Sequence, residues 1–116
     1  MKLRIRGNNI RLRLTQSEVN LLALGAEVKE YVHFGQEKFG YSLRQEQIAR
    51  PEARFENQSI IVVLPSSQAK LWAESDELGI SAQFGQLSLL IEKDLQCLKS
   101  RGEEDQDTFP NPKALG

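Results

Sequence analysis

Cysteine occurs once in these 116 residues, at Cys97, so no internal disulfide framework can staple the chain. Histidine also occurs once, at His33, which removes the clustered imidazoles that most transition-metal sites use. No stretch of apolar residues is long enough to span a bilayer, and Met1-Lys2-Leu3-Arg4 alternates charge with hydrophobicity from the outset. A cytoplasmic, non-membrane protein is therefore expected. Short catalytic signatures are missing as well: the chain has no glycine-rich phosphate loop ending in Gly-Lys-Ser/Thr, no Gly-x-Gly-x-x-Gly, no His-Glu-x-x-His, no Cys-x-x-Cys and no Gly-x-Ser-x-Gly. No cofactor is expected, and a non-enzyme is favoured over an enzyme.

What is present suits an ordinary folded domain: 40% hydrophobic residues against 27% charged. At this length a chain can bury roughly two thirds of the surface it exposes when unfolded, without metal or disulfide. The net charge of -1 hides a split. Residues 1–50 hold 9 Lys+Arg against 5 Asp+Glu, giving +4, and residues 51–116 hold 6 against 11, giving -5. One half must either attract an anionic partner or be neutralised by the other.

Residues 4–36 lie over 54–86 at a constant offset of 50 with no gap, and ten of the 33 pairs are identical. They are Arg4/Arg54, Ile10/Ile60, Leu14/Leu64, Ser17/Ser67, Leu21/Leu71, Ala23/Ala73, Glu27/Glu77, Phe34/Phe84, Gly35/Gly85 and Gln36/Gln86. This is the signature of an internal repeat. The competing explanation is convergence of two hairpin-and-helix units on one apolar pattern.

Each copy reads as strand, strand, helix, strand, strand. Leu3 and Ile5 alternate with Lys2, Arg4 and Arg6, a turn follows at Gly7-Asn8-Asn9, and Ile10, Leu12 and Leu14 alternate with Arg11 and Arg13. Thr15 and Glu18 form a capping box, Leu14 and Val19 stand at the staple positions, and Gly25 ends the helix. In the second copy residues 60–64 are apolar on both faces, which predicts a strand covered on both sides. Pro65 replaces Thr15, so Ser66 or Ser67 must supply the cap. A linker at 45–53 joins the copies, and residues 100–116 read as an irregular tail. The predicted core is Ile10, Leu12, Leu14, Leu22, Phe34, Ile60, Val62, Leu64, Trp72 and Phe84.

Because side chains alternate along a strand, Lys2, Arg4, Arg6, Arg11 and Arg13 share the non-core face of one hairpin. Guanidinium groups bind phosphates and carboxylates bidentately, so this ridge is the candidate anion site. The plain alternative is a solvated or edge-protecting charged face. The candidate neutralisers are Glu92, Asp94 and the acidic run at 103–107, with residues 99–112 expected to fold back on a Phe109 anchor. Glu92, Asp94 and Cys97 could together suggest a metal, but their spacing matches no closed site. Glu30 falls on an apolar strand face, which places it near a sheet edge or beside a buried partner.

Three resemblances follow from these residues. Met1-Lys2-Leu3-Arg4-Ile5-Arg6-Gly7-Asn8, residues 92–98 and Phe109-Pro110-Asn111-Pro112 resemble an uncharacterised family of short bacterial proteins, a domain of unknown function that implies no activity. Residues 3–25 and 60–80 are similar to swapped-hairpin DNA-binding regulators, in which basic hairpin residues meet the duplex; here those would be Arg4, Arg6, Arg11 and Arg13. The acidic second half departs from that pattern, since it repels phosphates. A duplicated four-strand, one-helix unit is also similar in topology to triphosphate tunnel metalloenzymes. Those carry Glu-x-Glu-x-Lys where this chain has Lys2-Leu3-Arg4-Ile5-Arg6.

The expected fold is α+β: one domain over 1–99 made of two tandem β-β-α-β-β repeats, about 2–44 and 53–93, with pseudo-two-fold symmetry. These repeats form an antiparallel barrel or curved sheet covered by two helices. A non-catalytic binding or interaction module leads the functional expectations, with an anionic ligand or protein as partner. A nucleic-acid-binding regulator and a phosphate-handling enzyme are the alternatives.

Overall fold

The computed structural model describes residues 1–95. Its elements run β1 (Lys2–Arg6), β2 (Asn9–Leu14), α1 (Gln16–Ala23), β3 (Val28–Phe34), β4 (Glu37–Glu46), β5 (Glu52–Glu56), β6 (Ser59–Pro65), α2 (Ser66–Glu74), β7 (Gly79–Phe84) and β8 (Leu87–Lys93). Consecutive strands form four antiparallel hairpins, each closed by two residues. Tight turns of this kind need left-handed backbone. Gly35 and Gly85 supply it at φ 66° and 62°, whereas the β5–β6 turn uses Asn57 and Gln58 at 49° and 61°.

The hairpins do not wrap into the expected antiparallel barrel. They assemble into two separate four-stranded sheets, sheet A in the order β1-β2-β8-β7 and sheet B in the order β3-β4-β6-β5. In both, the two central strands are parallel: β2 with β8 and β4 with β6. After each helix the chain leaves its own hairpin's sheet and joins the other, so the first half's opening hairpin lies beside the second half's closing hairpin. Those central pairs join residues far apart in sequence. Local alternation identifies a hairpin but not its neighbour.

One apolar cluster takes side chains from both sheets and both helices, among them Leu12, Leu14, Leu22, Leu43, Val62, Leu64, Trp72, Leu89 and Ile91. Of the ten predicted core residues, eight are buried. Phe34 and Phe84 are 65% and 41% exposed, because each ends its strand at a turn beyond the reach of the helices and opposite sheet. The apolar run at 60–64 does form a central strand: Val62, Val63 and Leu64 are fully buried, so both faces of β6 are covered.

Helix α1 begins as expected. Thr15 Oγ1 accepts from the Glu18 backbone N–H, and the Glu18 carboxylate accepts from the Thr15 N–H. Helix α2 begins at Pro65 with no side-chain cap, so neither Ser66 nor Ser67 replaces Thr15. Its start is fixed instead by burial, with Pro65 itself buried at the end of β6 and Ala69 and Trp72 in the core. The linker is shorter than expected, because β4 continues through Glu46 and β5 starts at Glu52, leaving residues 47–51. Among the described residues no helix is long and apolar enough to cross a membrane.

Candidate functional site: the basic face of the first hairpin

The register of the first hairpin pairs Lys2 with Arg13, Arg4 with Arg11 and Arg6 with Asn9, while Leu3 faces Leu12 and Ile5 faces Ile10. The alternation therefore places all five cations on one side and the apolar residues on the other, where Ile10 and Leu12 enter the core. Like charges directly opposite on neighbouring strands repel. The buried side of the hairpin, with Ile10 and Leu12 in the core, offsets that repulsion.

One carboxylate reaches the ridge from the next strand. Arg13 is in register with Glu92 of β8, and Glu92 Oε1 accepts from Arg13 Nη2 at 2.9 Å and Nε at 3.2 Å. Arg11 Nε lies 3.7 Å from the same oxygen. Of the proposed neutralisers, Glu92 is thus in place for two of the five cations. Asp94 uses its backbone N–H to donate to the Leu14 carbonyl at 2.7 Å. Cys97 and the acidic run at 103–107 lie outside the described residues, as does the fold-back of 99–112. Lys2, Arg4 and Arg6 are exposed, and no carboxylate lies within ion-pair distance of them among the described residues.

A second set of charges, not foreseen from sequence, fixes the start of β1. The Met1 ammonium donates to Glu18 Oε2 at 2.6 Å and to Glu30 Oε2, while Tyr41 Oη donates to the Met1 carbonyl at 3.2 Å. Burial works against the ammonium's charge, but the hydrogen bonds and attraction of the two carboxylates win and hold its pKa above the ordinary value. Glu18 is likewise opposed by burial and yet held below the usual range by the ammonium and by Thr15. Burial and the two nearby carboxylates raise the Tyr41 phenol. Glu30, odd on its apolar face, stands on the edge strand β3 and has this partner.

Along the β1 edge lies a depression of about 390 Å³ lined by Met1, Lys2, Leu3, Arg4, Arg11, Arg13 and Tyr41. Its chemistry is that of a cationic, hydrogen-bonding concavity able to hold a carboxylate or phosphate. No cluster of three metal-ligating side chains occurs among the described residues. His33 is exposed near the end of β3.

Fold and face together define a small α+β protein built on exchanged hairpins, with one strongly basic sheet face. The chain belongs to a family of unknown function (DUF7009), whose model matches residues 1–113. Comparison with curated proteins and with solved structures returns no match.

Proposed function

We propose that this protein is a small non-catalytic binding module that engages an anionic partner with the outer face of β1 and β2. The observation that carries the reading is five cations on one hairpin face, of which Lys2, Arg4 and Arg6 have no carboxylate within ion-pair distance among the described residues. The depression at the β1 edge adds a concave place for an anionic group beside Arg4, Arg11 and Arg13. The test is binding of a labelled polyanion such as heparin at several salt concentrations. The logarithm of the affinity should fall linearly with the logarithm of salt, and Arg4→Glu with Arg6→Glu should reduce both affinity and slope. Binding unchanged in that double variant would return the ridge to a solvated face.

A second reading, a nucleic-acid-binding regulator, is favoured by one observation, the exchange of hairpins between the two halves. That arrangement accords with the resemblance to swapped-hairpin regulators, and Arg4, Arg6, Arg11 and Arg13 would meet the duplex. Against it stands Glu52 at the place of Lys2 and Glu56 at the place of Arg6. Preference for duplex DNA over heparin of matched charge would select this reading. A phosphate-handling enzyme is the weakest of the three, since β1 carries cations where the tunnel enzymes it resembles carry carboxylates.

We further read the two halves as products of duplication within a cytoplasmic protein. Supporting this, β1, β2, α1 and β4 begin 50 residues before β5, β6, α2 and β8, and β3 begins 51 before β7. The symmetry is approximate: β2 pairs with β8 from Asn9 opposite Ser88, while β4 pairs with β6 from Gly40 opposite Ser59. At an offset of 50 the second register would put Asn9 opposite Leu90, two residues further along.

A further inference from the structure

The outer face of sheet B carries a pocket of about 290 Å³ whose polar groups are not all spoken for. Among its lining residues Ser42 is only 2% exposed, and its hydroxyl has no hydrogen-bond partner among the described residues. A hydroxyl stripped of water and left unpaired is destabilising, and such groups point to a missing water or ligand. Two residues earlier, Gly40 leaves the backbone bare. A Cβ there would sit 2.7 Å from Ser59 Oγ and 3.0 Å from the Tyr31 ring. The glycine therefore allows Tyr31 to lie across the sheet as one wall of the pocket, with the Lys38 ammonium 4.3 Å from its ring centre.

The charges around this wall do not cancel pair by pair. Arg44 is held by Glu46 at 2.9 Å and by Glu27 at 3.6 Å, and Lys29 approaches Glu27 at 3.7 Å. Lys38 and Glu56 also line the pocket, and neither has an oppositely charged partner among the described residues. The register puts Glu56 opposite Ser59 and Ser59 opposite Gly40, with Lys38 two residues further along β4. Standard strand spacings then separate the Lys38 and Glu56 backbones by roughly 12 Å, with Ser42 on the same face. What is left over is one cation, one anion and one buried hydroxyl around a space of about ten water volumes.

We propose that this pocket binds a small zwitterion of amino-acid size, with its carboxylate on Lys38, its ammonium on Glu56 and a polar atom on the Ser42 hydroxyl. The site lies on the other sheet from the basic hairpin and does not depend on it.

The experiment is ligand-observed NMR on the full chain with glycine, L-serine, L-glutamine and L-glutamate, using acetate and methylammonium as half-ligand controls. At least one zwitterion should bind saturably in the range of about 1 mM or tighter, and each half-ligand at least about tenfold more weakly. Lys38→Met, Glu56→Gln and Ser42→Ala should each weaken the zwitterion about tenfold, and Arg4→Glu should leave it unchanged. Ser42→Ala should also keep or raise the thermal midpoint of the ligand-free protein, which separates loss of a ligand contact from loss of fold. The proposal is overturned by no saturable binding up to about 10 mM. Acetate or methylammonium binding as well as the zwitterion, or variants binding like the wild type, would overturn it equally.

Discussion

The outer faces of the two sheets are built on the same strand pattern and treat charge in opposite ways. On sheet A the outward positions of the first two strands are Lys2, Arg4, Arg6, Arg11 and Arg13; at 50 residues' distance, sheet B has Glu52, Arg54, Glu56, Ile61 and Val63. Arg54 of sheet B donates to Glu46 at 3.2 Å and to Glu52 at 3.0 Å, and Arg44 completes the network through Glu46. Arg54 is the main influence holding the Glu46 carboxyl below its usual range, and Glu46 in turn raises Arg54. On this face Val63, in register with Arg44 of β4 and Glu52 of β5, is fully buried. Sheet B ties Arg44 and Arg54 to carboxylates, whereas sheet A leaves Lys2, Arg4 and Arg6 exposed with no carboxylate within ion-pair distance among the described residues. The difference teaches that the basic ridge is not a requirement of the scaffold, since the same pattern of strands is satisfied without it.

The comparison can be broken most forcefully in the core, where the sheets should be equals. Leu14 ends β2, Leu64 is the last residue but one of β6, and both are fully buried. Replacing either with Ala should cost about 2 to 5 kcal/mol, read as a shift in denaturant midpoint. A loss below about 1 kcal/mol at one site would show that one sheet contributes little to the shared cluster.

A charge exchange sharpens it next. Arg4→Glu with Arg6→Glu should lower polyanion affinity by roughly tenfold or more at low salt, and Glu52→Lys with Glu56→Arg should create a second weak site on sheet B. If the second pair adds no binding, position within the fold matters more than charge count. Glu92→Gln should act in the opposite direction, raising polyanion affinity a few-fold by removing the negative charge beside Arg11 and Arg13, because exposed ion pairs are worth about 0 to 1 kcal/mol each. An unchanged titration curve would mean that these two arginines do not face the partner.

The smallest effect concerns pH. The folded Met1 ammonium titrates above its ordinary value of 8.0, so the stability it adds is complete below that pH and fades as pH rises through the raised value. Glu18 titrates below its ordinary 4.5, so its contribution is present above that pH and fades as pH falls through the lowered value. Both residues are half-buried rather than deep in the core, so each limb should amount to about 1 kcal/mol or less. Thermal midpoints measured across pH should show a plateau between these limits, and Glu18→Gln should flatten both shoulders. Shoulders that persist in that variant would assign them to other groups.

Much of this architecture was legible in the chain because it is local. The hairpins follow from alternation at residues 2–14, the start of α1 from Thr15 and Glu18, and the central place of β6 from an apolar run without polar interruption. The failures have physical causes of their own. Phe34 and Phe84 keep the alternation but sit where the strands outrun the core, a length mismatch that no pattern within one strand reveals. The parallel pairing of β2 with β8 joins residues 79 apart, so nothing near either strand encodes it. Of the candidate site, the ridge is plain from the period of two, and Glu92 is legible as an acid able to neutralise part of it. The Met1 anchor is not, because a terminal amine leaves no mark in a residue pattern. The pocket on sheet B had one visible signal, Gly40 in the middle of a strand, where a missing side chain marks a close approach.

The exchange of hairpins also sets the order in which the protein can be made. While the chain emerges from a ribosome, β1 and β2 can close early, but β2 exposes an unpaired edge until β8 arrives about eighty residues later. Sheet B can assemble as soon as β6 has emerged, whereas sheet A must wait for residue 93. Long-range parallel pairing of this kind slows folding and prolongs the exposure of strand edges to other chains. The cationic face on β1 and β2 therefore belongs to the segment with the longest wait, where mutual repulsion between nascent copies discourages edge-to-edge association.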